Sequence, residues 1–211
     1  MSAMTLERGL AELCLDFSPE VQAKLLAFAA LLQKWNKVYN LTSIRDAGQV
    51  LTHHLLDSLA MLPHLSGIAR LADVGSGGGL PGIPLAIATQ SREPALAISS
   101  IETVNKKATF QQQAKIELGL GNFTVLNERV ENVRPAVPFD AVISRAFSEL
   151  TDFVTLTAHL LRPGGRFLAM KGVYPDDEIA RLPSAFRVVE VRQLTVPGLG
   201  AERHLIILEH N

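Results

Sequence analysis

The pattern of apolar and polar positions divides the chain into a helical part and an alternating part. Between residues 19 and 39, apolar side chains recur every three or four positions, which predicts one amphipathic helix. They are Val21, Leu25, Phe28, Leu32 and Trp35. A shorter helix is expected near 4–14 and a further one over about 48–62, ending at Pro63. We therefore expect residues 1–65 to form a helical N-terminal extension.

From residue 70 onward, short apolar runs alternate with helical stretches. This alternation is typical of a mainly parallel sheet covered by helices on both faces, so residues 66–211 are expected to form an α/β domain. The predicted strands lie near 70–74, 96–101, 123–126, 139–143, 165–170, 186–194 and 204–208, and the predicted helices near 82–90, 104–119, 150–161 and 176–181. In such sheets ligands bind beyond the carboxyl ends of the strands, where the strand order reverses.

Glycines crowd the segment that follows the first predicted strand. The stretch "DVGSGGGLPG" at 73–82 holds five glycines in ten positions. Gly75, Gly77 and Gly79 form G-x-G-x-G, and N–H groups of the following helix would point toward the same space, which suits the polar end of an adenosine-containing cofactor. Gly82 also completes a G-x-G-x-x-G dinucleotide pattern. Spacing alone therefore leaves open a nicotinamide cofactor and a tight turn without a ligand.

Two features favour a cofactor that has no phosphate. Pro81 and Pro84 remove N–H donors from the first helical turn, where a pyrophosphate would need them. Glu102 closes the second predicted strand, where an acid would bind both ribose hydroxyls, although an acid is also typical of a helix N-terminus. S-adenosylmethionine, with a ribose, an adenine and an amino-acid tail, fits both features. We therefore predict that Gly75, Gly77 and Glu102 bind this cofactor.

Two later segments agree with such a domain. Residues 163–165, Pro-Gly-Gly, predict a turn between a helix and the fifth strand, as in many methyltransferases of this fold. Val130 and Glu131 follow the third predicted strand and are expected beside the adenine. The alternative is that Val130 only packs and that Glu131 is a solvated charge.

The residue types near the predicted site narrow the choice of acceptor atom. Methylation of a pyrimidine carbon needs a cysteine nucleophile, and Cys14 lies in a predicted N-terminal helix. Enzymes that methylate exocyclic amines commonly carry Asn/Asp-Pro-Pro-aromatic after the fourth strand, whereas this chain has "SRAF" at 144–147. Guanine N7 offers a free lone pair, and its methylation removes no proton, so positioning can supply most of the catalysis. Arg145 would then lie beside the methionine carboxylate or a substrate phosphate, with a surface ion pair as the alternative.

Composition and charge limit the remaining classes. A net charge of −1 and an isoelectric point near 6.6 argue against non-specific coating of nucleic acid. The single cysteine excludes an intramolecular disulfide and a cysteine-cluster metal site. His53 and His54 would point about 100° apart on a helix, so no metal is expected. The longest apolar run, 25–32, is too short to span a membrane, and Glu7 and Arg8 interrupt any signal-peptide pattern, which predicts a cytoplasmic protein.

Seven segments in order resemble the bacterial 16S ribosomal RNA guanine-N7 methyltransferases, the RsmG or GidB family. They are "KWNKVYNLTSIRD" at 34–46, "HLLDSL" at 54–59, "DVGSGGGLPGIPLAI" at 73–87, "RVE" at 129–131, "FDAVISRAF" at 139–147, "MKG" at 170–172 and "ERHLIIL" at 202–208. The resemblance extends over nearly the whole chain.

The resemblance implies a class I S-adenosylmethionine-dependent methyltransferase fold, Rossmann-like with a seven-stranded, mainly parallel sheet and a helical N-terminal extension. It implies transfer of a methyl group to N7 of guanine 527, in the 530 loop of 16S rRNA. By motif, the residues implied to contact the cofactor are Gly75, Leu80, Val130, Glu131 and Arg145.

The RNA contacts are less well specified by the resemblance. Basic residues are expected to form a rim around the cofactor site, and for any one of them a separate solvated charge is the alternative. The candidates are Arg129, Lys171, Lys106 and Arg203, with Lys34, Lys37, Arg45 and Lys107 in the same set. The implied partner is 16S rRNA in the 30S subunit, with no obligate protein partner evident. Because the chain is not basic overall, we expect a structured ribonucleoprotein substrate.

Three other functions stay open at this point. A small-molecule methyltransferase would need a closed pocket rather than an open basic rim. A nicotinamide oxidoreductase would use the same glycine spacing. A non-catalytic assembly factor would use the fold only to bind RNA.

Overall fold

A seven-stranded sheet forms the centre of the fold. The computed structural model describes residues 4–145, 147 and 149–211, and within them the strand order is β3-β2-β1-β4-β5-β7-β6. The strands are β1 Arg70–Val74, β2 Ala97–Ile101, β3 Phe123–Leu126, β4 Phe139–Ser144, β5 Leu161–Lys171, β6 Phe186–Gln193 and β7 His204–His210. Strand β7 runs antiparallel to both β5 and β6, and the pairs among β1 to β5 are parallel. Strand order reverses between β1 and β4, so the carboxyl ends of these two strands mark the expected ligand edge.

Helices cover both faces of the sheet. They are α1 Leu6–Glu12, α2 Pro19–Tyr39, α3 Ala47–Val50, a π-helical segment Leu51–Leu56, α4 Asp57–Leu59, α5 Gly82–Thr89, α6 Asn105–Leu118, α7 Leu150–Thr157 and α8 Asp176–Ala180. Short 3₁₀ turns occur at Leu62–His64, Val130–Asn132 and Ala158–Leu160. Among the described residues, every helix is too short or too polar to cross a lipid bilayer.

Side chains that point alternately to the two faces of the sheet form two separate hydrophobic clusters. In β5, Leu168 and Met170 pack into the cluster that contains α2, α5 and α6. Phe167 and Ala169 pack into the cluster on the opposite face, with Phe153 of α7. Because successive strand side chains point to opposite faces, one strand contributes to both clusters. The predicted α/β architecture with helices on both faces is confirmed.

The N-terminal helices pack on the same face as α5 and α6. Helix α2 begins at Pro19, and the hydroxyl of Ser18 accepts a hydrogen bond from the N–H of Val21 at 3.4 Å, as expected for an N-cap. The apolar stripe of α2 meets Phe110 of α6, whose ring centroid lies 6.3 Å from that of Phe28 and 5.6 Å from that of Trp35. The N-terminal helices and the sheet therefore share one continuous core.

Two predicted elements differ from the structure. Strand β5 begins at Leu161, and the predicted turn at 163–165 is a bulge within its pairing to β4. The register passes from Phe139 opposite Leu161 to Ala141 opposite Arg166, with Gly164 at φ +72°. The extra residues are absorbed because a bulge lets one strand carry more residues than its partner.

The third predicted helix is not a uniform α-helix. Its middle, Leu51–Leu56, is π-helical, and a 3₁₀ turn over Leu62–His64 replaces the predicted stop at Pro63. The π segment buries His54, whose Nε2 lies 2.8 Å from Thr42 Oγ1. Burial, and then the positive charge of Arg145, lower the pKa of His54 to about 4.

This shift predicts a pH-dependent stability that is specific to His54. The unfolded chain takes up a proton near pH 6.5 and the folded chain only near pH 4, so His54 stabilises the fold fully above about pH 6.5 and loses that contribution as pH falls to 4. The loss amounts to about 3 kcal/mol. In His54→Gln, which keeps a polar group toward Thr42 but cannot titrate, this loss should be absent. Urea unfolding of both proteins between pH 7 and 4 measures it.

The comparison must be made between the two proteins and not from one profile. Burial raises the pKa of Asp73 to about 7, so that residue contributes stability that grows as pH falls over the same range. Because Asp73 is present in both proteins, its contribution cancels in the difference. Parallel stability profiles for the wild type and His54→Gln would contradict the assignment.

Candidate functional site

The loop after β1 leaves open space above two of its glycines. Gly75, Gly77 and Gly79 have φ values of +69°, +58° and +80°, a left-handed backbone that other residues rarely adopt. A Cβ atom on Gly79 would collide with the side chain of Ile83, so this glycine is needed for packing. A Cβ atom on Gly75 or Gly77 would have no heavy atom within 4 Å. Those two positions therefore border space that a ligand can enter.

The peptide groups of Gly77 are held from both sides. One carboxylate oxygen of Glu102 accepts a hydrogen bond from the N–H of Gly77 at 2.8 Å, and the other accepts from the N–H of Val104 at 2.8 Å. The side-chain amide of Gln111 donates to the carbonyl of Gly77 at 2.8 Å. Glu102, at the end of β2, is only 5% exposed. The predicted acid is thus next to the glycine loop and orders it.

A buried polar network supports the loop from below. The Gln111 amide also donates to the hydroxyl of Ser76 at 2.8 Å, and the hydroxyl of Ser100 bonds to both Ser76 and Gln111. All three side chains are buried. Sequence reasoning missed Ser100 and Gln111, because nothing in "SSI" or "QQQ" marks one member of each run as a loop partner.

Asp73 connects the end of β1 to the start of α5. Its Oδ2 accepts a hydrogen bond from the N–H of Gly82 at 2.8 Å, and its Oδ1 has no hydrogen-bond partner among the described residues. Burial raises the pKa of this carboxyl to about 7, while the bond from Gly82 and the charge of Arg145 act in the opposite direction. A buried oxygen without a partner beside an open loop is uncommon and often marks a functional site.

A cavity of about 350 Å³ opens beside the loop. Its walls come from the carboxyl ends of β1 and β2 and from the segment after β3. They include Val74, Gly75, Ile101, Thr103, Arg129, Val130, Glu131, Phe147 and Leu156. The fold thus brings together three of the residues predicted to contact the cofactor, with apolar side chains that suit a flat aromatic base.

Leu80 is placed differently from these residues. Its side chain is 4% exposed and belongs to the hydrophobic core, and its N–H donates to the carbonyl of Ser76 at 2.9 Å. Leu80 and Gly77 are not among the residues that line the 350 Å³ cavity. A Cβ atom at Gly77 would point into open space at the loop surface. The side chain of Leu80 instead packs in the core, and its N–H stabilises the loop.

A larger cavity of about 760 Å³ lies beyond the ends of β4 and β5. Cations, carboxylates and two aromatic rings line it. They include Arg145, Lys171, Arg181 and Arg203, the acids Glu149, Asp176, Asp177 and Glu178, and the rings of Phe147 and Tyr174. A wall of this kind suits a polar ligand that carries both charge and a planar group.

Arg145 is held by the N-terminal helical segment. Its Nη1 donates to the carbonyl of His53 at 2.8 Å and lies 3.3 Å from Oδ2 of Asp57. Asp57 is fully buried, and its Oδ1 accepts from Nε of Arg203 at 2.7 Å. Burial lowers the pKa of Arg145 from its ordinary value, and Asp57 opposes that shift. One carboxylate therefore orients two guanidinium groups on the cavity wall, an arrangement that sequence reasoning missed although "HLLDSL" contains Asp57.

The four candidate RNA-contact residues fall into two groups. Lys171 and Arg203 lie in the wall of the larger cavity, where the ammonium group of Lys171 is 2.7 Å from a carboxylate oxygen of Glu178. Arg129 is exposed at the smaller cavity, and Lys106 is exposed in the first turn of α6.

Of the "SRAF" stretch, Ala146 lies outside the described residues.

Metal-ligating side chains form no cluster of three or more among residues 4–145, 147 and 149–211. His53 and His54 bond to protein groups instead. His53 Nδ1 lies 2.7 Å from Thr52 Oγ1, and His54 Nδ1 lies 3.0 Å from the carbonyl of His53.

Comparison with solved structures identifies the fold. An O-methyltransferase of Streptomyces achromogenes, solved with S-adenosylmethionine, matches with a TM-score of 0.59 at 17% identity over 99% of both chains. A methyltransferase of Thiobacillus denitrificans, solved with S-adenosylhomocysteine, matches with a TM-score of 0.52 at 12% identity over 86% of this chain and 97% of that one. The predicted class I methyltransferase fold is confirmed.

Comparison of sequences identifies the family. The model of the GidB family, rRNA small subunit methyltransferase G, matches residues 21–206. A protein of that name from Aromatoleum aromaticum is 82% identical over 100% of both chains. Another from Azoarcus sp. is 63% identical over 95% of this chain and 92% of its own length, and one from Neisseria meningitidis serogroup A is 53% identical over 96% of each.

The match covers most of the chain and includes the glycine loop, both cavities and the Arg145–Asp57–Arg203 cluster. The predicted enzyme class is confirmed, an rRNA methyltransferase that uses S-adenosylmethionine. The chain belongs to the rRNA small subunit methyltransferase G family.

Proposed function

We propose that this enzyme transfers a methyl group from S-adenosylmethionine to N7 of guanine 527, in the 530 loop of 16S rRNA. The observation that carries the proposal is the pair of adjoining cavities at the carboxyl edge of the sheet. The smaller has an open glycine face and mostly apolar walls with Arg129 and Glu131, and the larger has cations, carboxylates and aromatic rings. A nucleoside cofactor suits the first, and an unstacked nucleotide of an RNA loop suits the second.

The residues around the smaller cavity fit S-adenosylmethionine. Gly75 provides close backbone approach, Val130 an apolar contact for the adenine, and Glu131 a polar rim. Glu102 accepts a hydrogen bond from the N–H of Gly77 and so orders the loop on the ribose side. Leu80 supports the loop from within the core. Bound there, the cofactor supplies a methyl group on a cationic sulfur.

The larger cavity fits an acceptor that needs no general base. Ion pairs in or directly behind its wall join Lys171 to Glu178, Arg181 to Glu149, and both Arg145 and Arg203 to the buried Asp57. Paired charges of this kind orient a ligand and bind phosphate or carboxylate, and they are poorly suited to accept a proton. Guanine N7 has a free lone pair and loses no proton on methylation, so it matches such a site. In this proposal Arg145 contacts substrate or cofactor, and Lys171, Arg203, Arg129 and Lys106 contact RNA.

The substrate is a particle and not free RNA in this proposal. The chain carries a net charge of −1, so long-range attraction to naked RNA is weak and recognition depends on shape. In this proposal the enzyme recognises the shape in which the 30S subunit presents the 530 loop. We also place the enzyme in the cytoplasm, without an obligate protein partner, and divide it into a helical extension at 1–65 and a methyltransferase domain at 66–211.

Methylation of purified subunits tests the proposal directly. The protein is incubated with radiolabelled S-adenosylmethionine and 30S particles from a strain that lacks this enzyme. We expect one methyl group per particle, recovered as 7-methylguanosine at position 527 on nucleoside analysis and primer extension. Label in another nucleoside would contradict the acceptor. Equal turnover on a short isolated stem-loop would contradict the particle requirement.

Gly75 and Gly67 form a matched pair that tests the cofactor cavity. Both have left-handed backbones, with φ of +69° and +75°, and a Cβ atom added at either position would meet no heavy atom within 4 Å. Each change to Ala should therefore cost a similar amount of stability, about 1 kcal/mol. Only Gly75→Ala adds a methyl group at the cavity, so it alone should weaken S-adenosylmethionine binding about tenfold or more, a loss of about 1.4 kcal/mol.

Calorimetric titration with S-adenosylmethionine and thermal unfolding of both variants separate these effects. Equal affinities for the two folded variants would place the cofactor elsewhere.

Arg145→Lys tests whether activity depends on the contacts of the guanidinium group with the N-terminal helical segment. Lysine keeps the charge but cannot reach the carbonyl of His53 and Asp57 with the same geometry. Loss of such charged hydrogen bonds predicts a fall in kcat/KM of about 10- to 100-fold. Arg166→Lys is the control, because Arg166 pairs with Glu209 on the exposed surface of the sheet. A similar effect in both variants, measured by methyl transfer to 30S particles, would contradict a specific role of Arg145.

A further inference from the structure

We propose that the ring of Phe147 stacks on the substrate guanine and stabilises the positive charge that the purine gains as the methyl group arrives. The inference rests on the proposed function and adds a substrate-contacting residue to it. Phe147 ends the motif "FDAVISRAF", but it was not among the residues predicted to contact cofactor or RNA.

Phe147 lies where the two cavities meet. It lines the smaller cavity with Gly75 and Val130, and the larger cavity with Arg145 and Lys171. No other described residue lines both of these cavities. The methyl group must pass between cofactor and acceptor, so a residue shared by both cavities is adjacent to the path of transfer.

The ring is held by a row of aromatic side chains. Its centroid lies 5.5 Å from that of Phe153, which lies 5.9 Å from Phe167, and Phe167 lies 5.6 Å from Phe186. Phe153 and Phe167 are fully buried, whereas Phe147 is only partly buried. The carbonyl of Phe147 accepts a hydrogen bond from the ammonium group of Lys171 at 3.3 Å. Packing against Phe153 thus holds the ring, and Phe147 lies in the wall of both cavities.

The charge balance of the reaction explains why an aromatic face is useful at this point. The N7 lone pair forms the new carbon–nitrogen bond, and the bond from the methyl carbon to sulfur breaks with its electron pair left on sulfur. The positive charge moves from sulfur to the purine ring, and no proton is transferred. The product is a cationic 7-methylguanine beside a neutral thioether.

The charges in the wall of the larger cavity balance, because four basic residues face four acids, so an aromatic face adds an attraction for the new cation that this wall lacks as a net charge. The Arg145–Asp57–Arg203 cluster holds two guanidinium groups and one carboxylate, so it carries a net positive charge. An aromatic face attracts a cation without carrying a charge itself, and stacking also orients a planar base. Because the attraction grows as the charge moves onto the purine, it raises kcat and not only binding.

Leucine and fluorinated phenylalanines at position 147 test this inference. Phe147→Leu keeps an apolar side chain but removes the π face, and we expect kcat on 30S particles to fall about tenfold with little change in S-adenosylmethionine affinity. Phe147→Tyr should keep most of the activity. Phenylalanines with one, two or three ring fluorines, introduced at this position, weaken the π face stepwise without changing its shape, so log kcat should fall with each fluorine.

Phe186→Leu is the matched control for packing. Phe186 ends the same aromatic row but lines neither cavity, so its change should lower stability without lowering kcat. Unchanged kcat in Phe147→Leu, an effect on KM alone, or no dependence on fluorine number would each overturn the inference while leaving guanine methylation intact. A wild-type enzyme that makes no 7-methylguanosine would instead overturn the proposed function.

Discussion

The buried carboxylate of Asp57 connects the parts of the molecule that form the site. It lies on α4 directly after the π-helical segment, and it pairs with Arg145 after β4 and with Arg203 before β7. Because Asp57 is fully buried, losing either partner would leave a poorly compensated charge in the interior. The π-helical segment adds the carbonyl of His53 as a second acceptor for Arg145. The N-terminal helices therefore position two arginines of the cavity wall and do more than cover the sheet.

The glycine loop depends on a second set of buried contacts. Its left-handed backbone is held at Gly77 by Glu102 and Gln111, and Ser76 and Ser100 complete the network beneath it. A loop that is already ordered loses little conformational entropy when a ligand binds. The two arrangements differ in chemistry, since amides and hydroxyls dominate the support of the loop and ion pairs form the wall of the larger cavity. This division suits an enzyme that binds a nucleoside cofactor on one side and an anionic polymer on the other.

Much of the fold follows from local patterns. The apolar stripe of α2 and the bounds of β1 and β3 agree with the structure, because helical and strand periodicities are read within a few residues. The glycine-rich bend was evident for the same reason, since only glycine adopts left-handed conformations freely. Prediction was least accurate where tertiary contacts override local preference. The bulge at 163–165 is stabilised by pairing with β4, and the π-helical turn by burial of His54 and its bond to Thr42.

The sequence by itself determined the order of the elements, the place of the glycine loop and the family, because each of these depends on residues close together in the chain or on whole motifs. Only the tertiary structure decided which side chains share a site. Asp57 contacts Arg145, which is 88 residues away in the sequence, and Arg203, which is 146 residues away. Gln111 contacts Gly77 over a separation of 34 residues. Phe147 became a candidate only when the two cavities were seen to share it. Such contacts depend on the order of strands in the sheet, and that order arises from packing between distant segments, which no local period encodes.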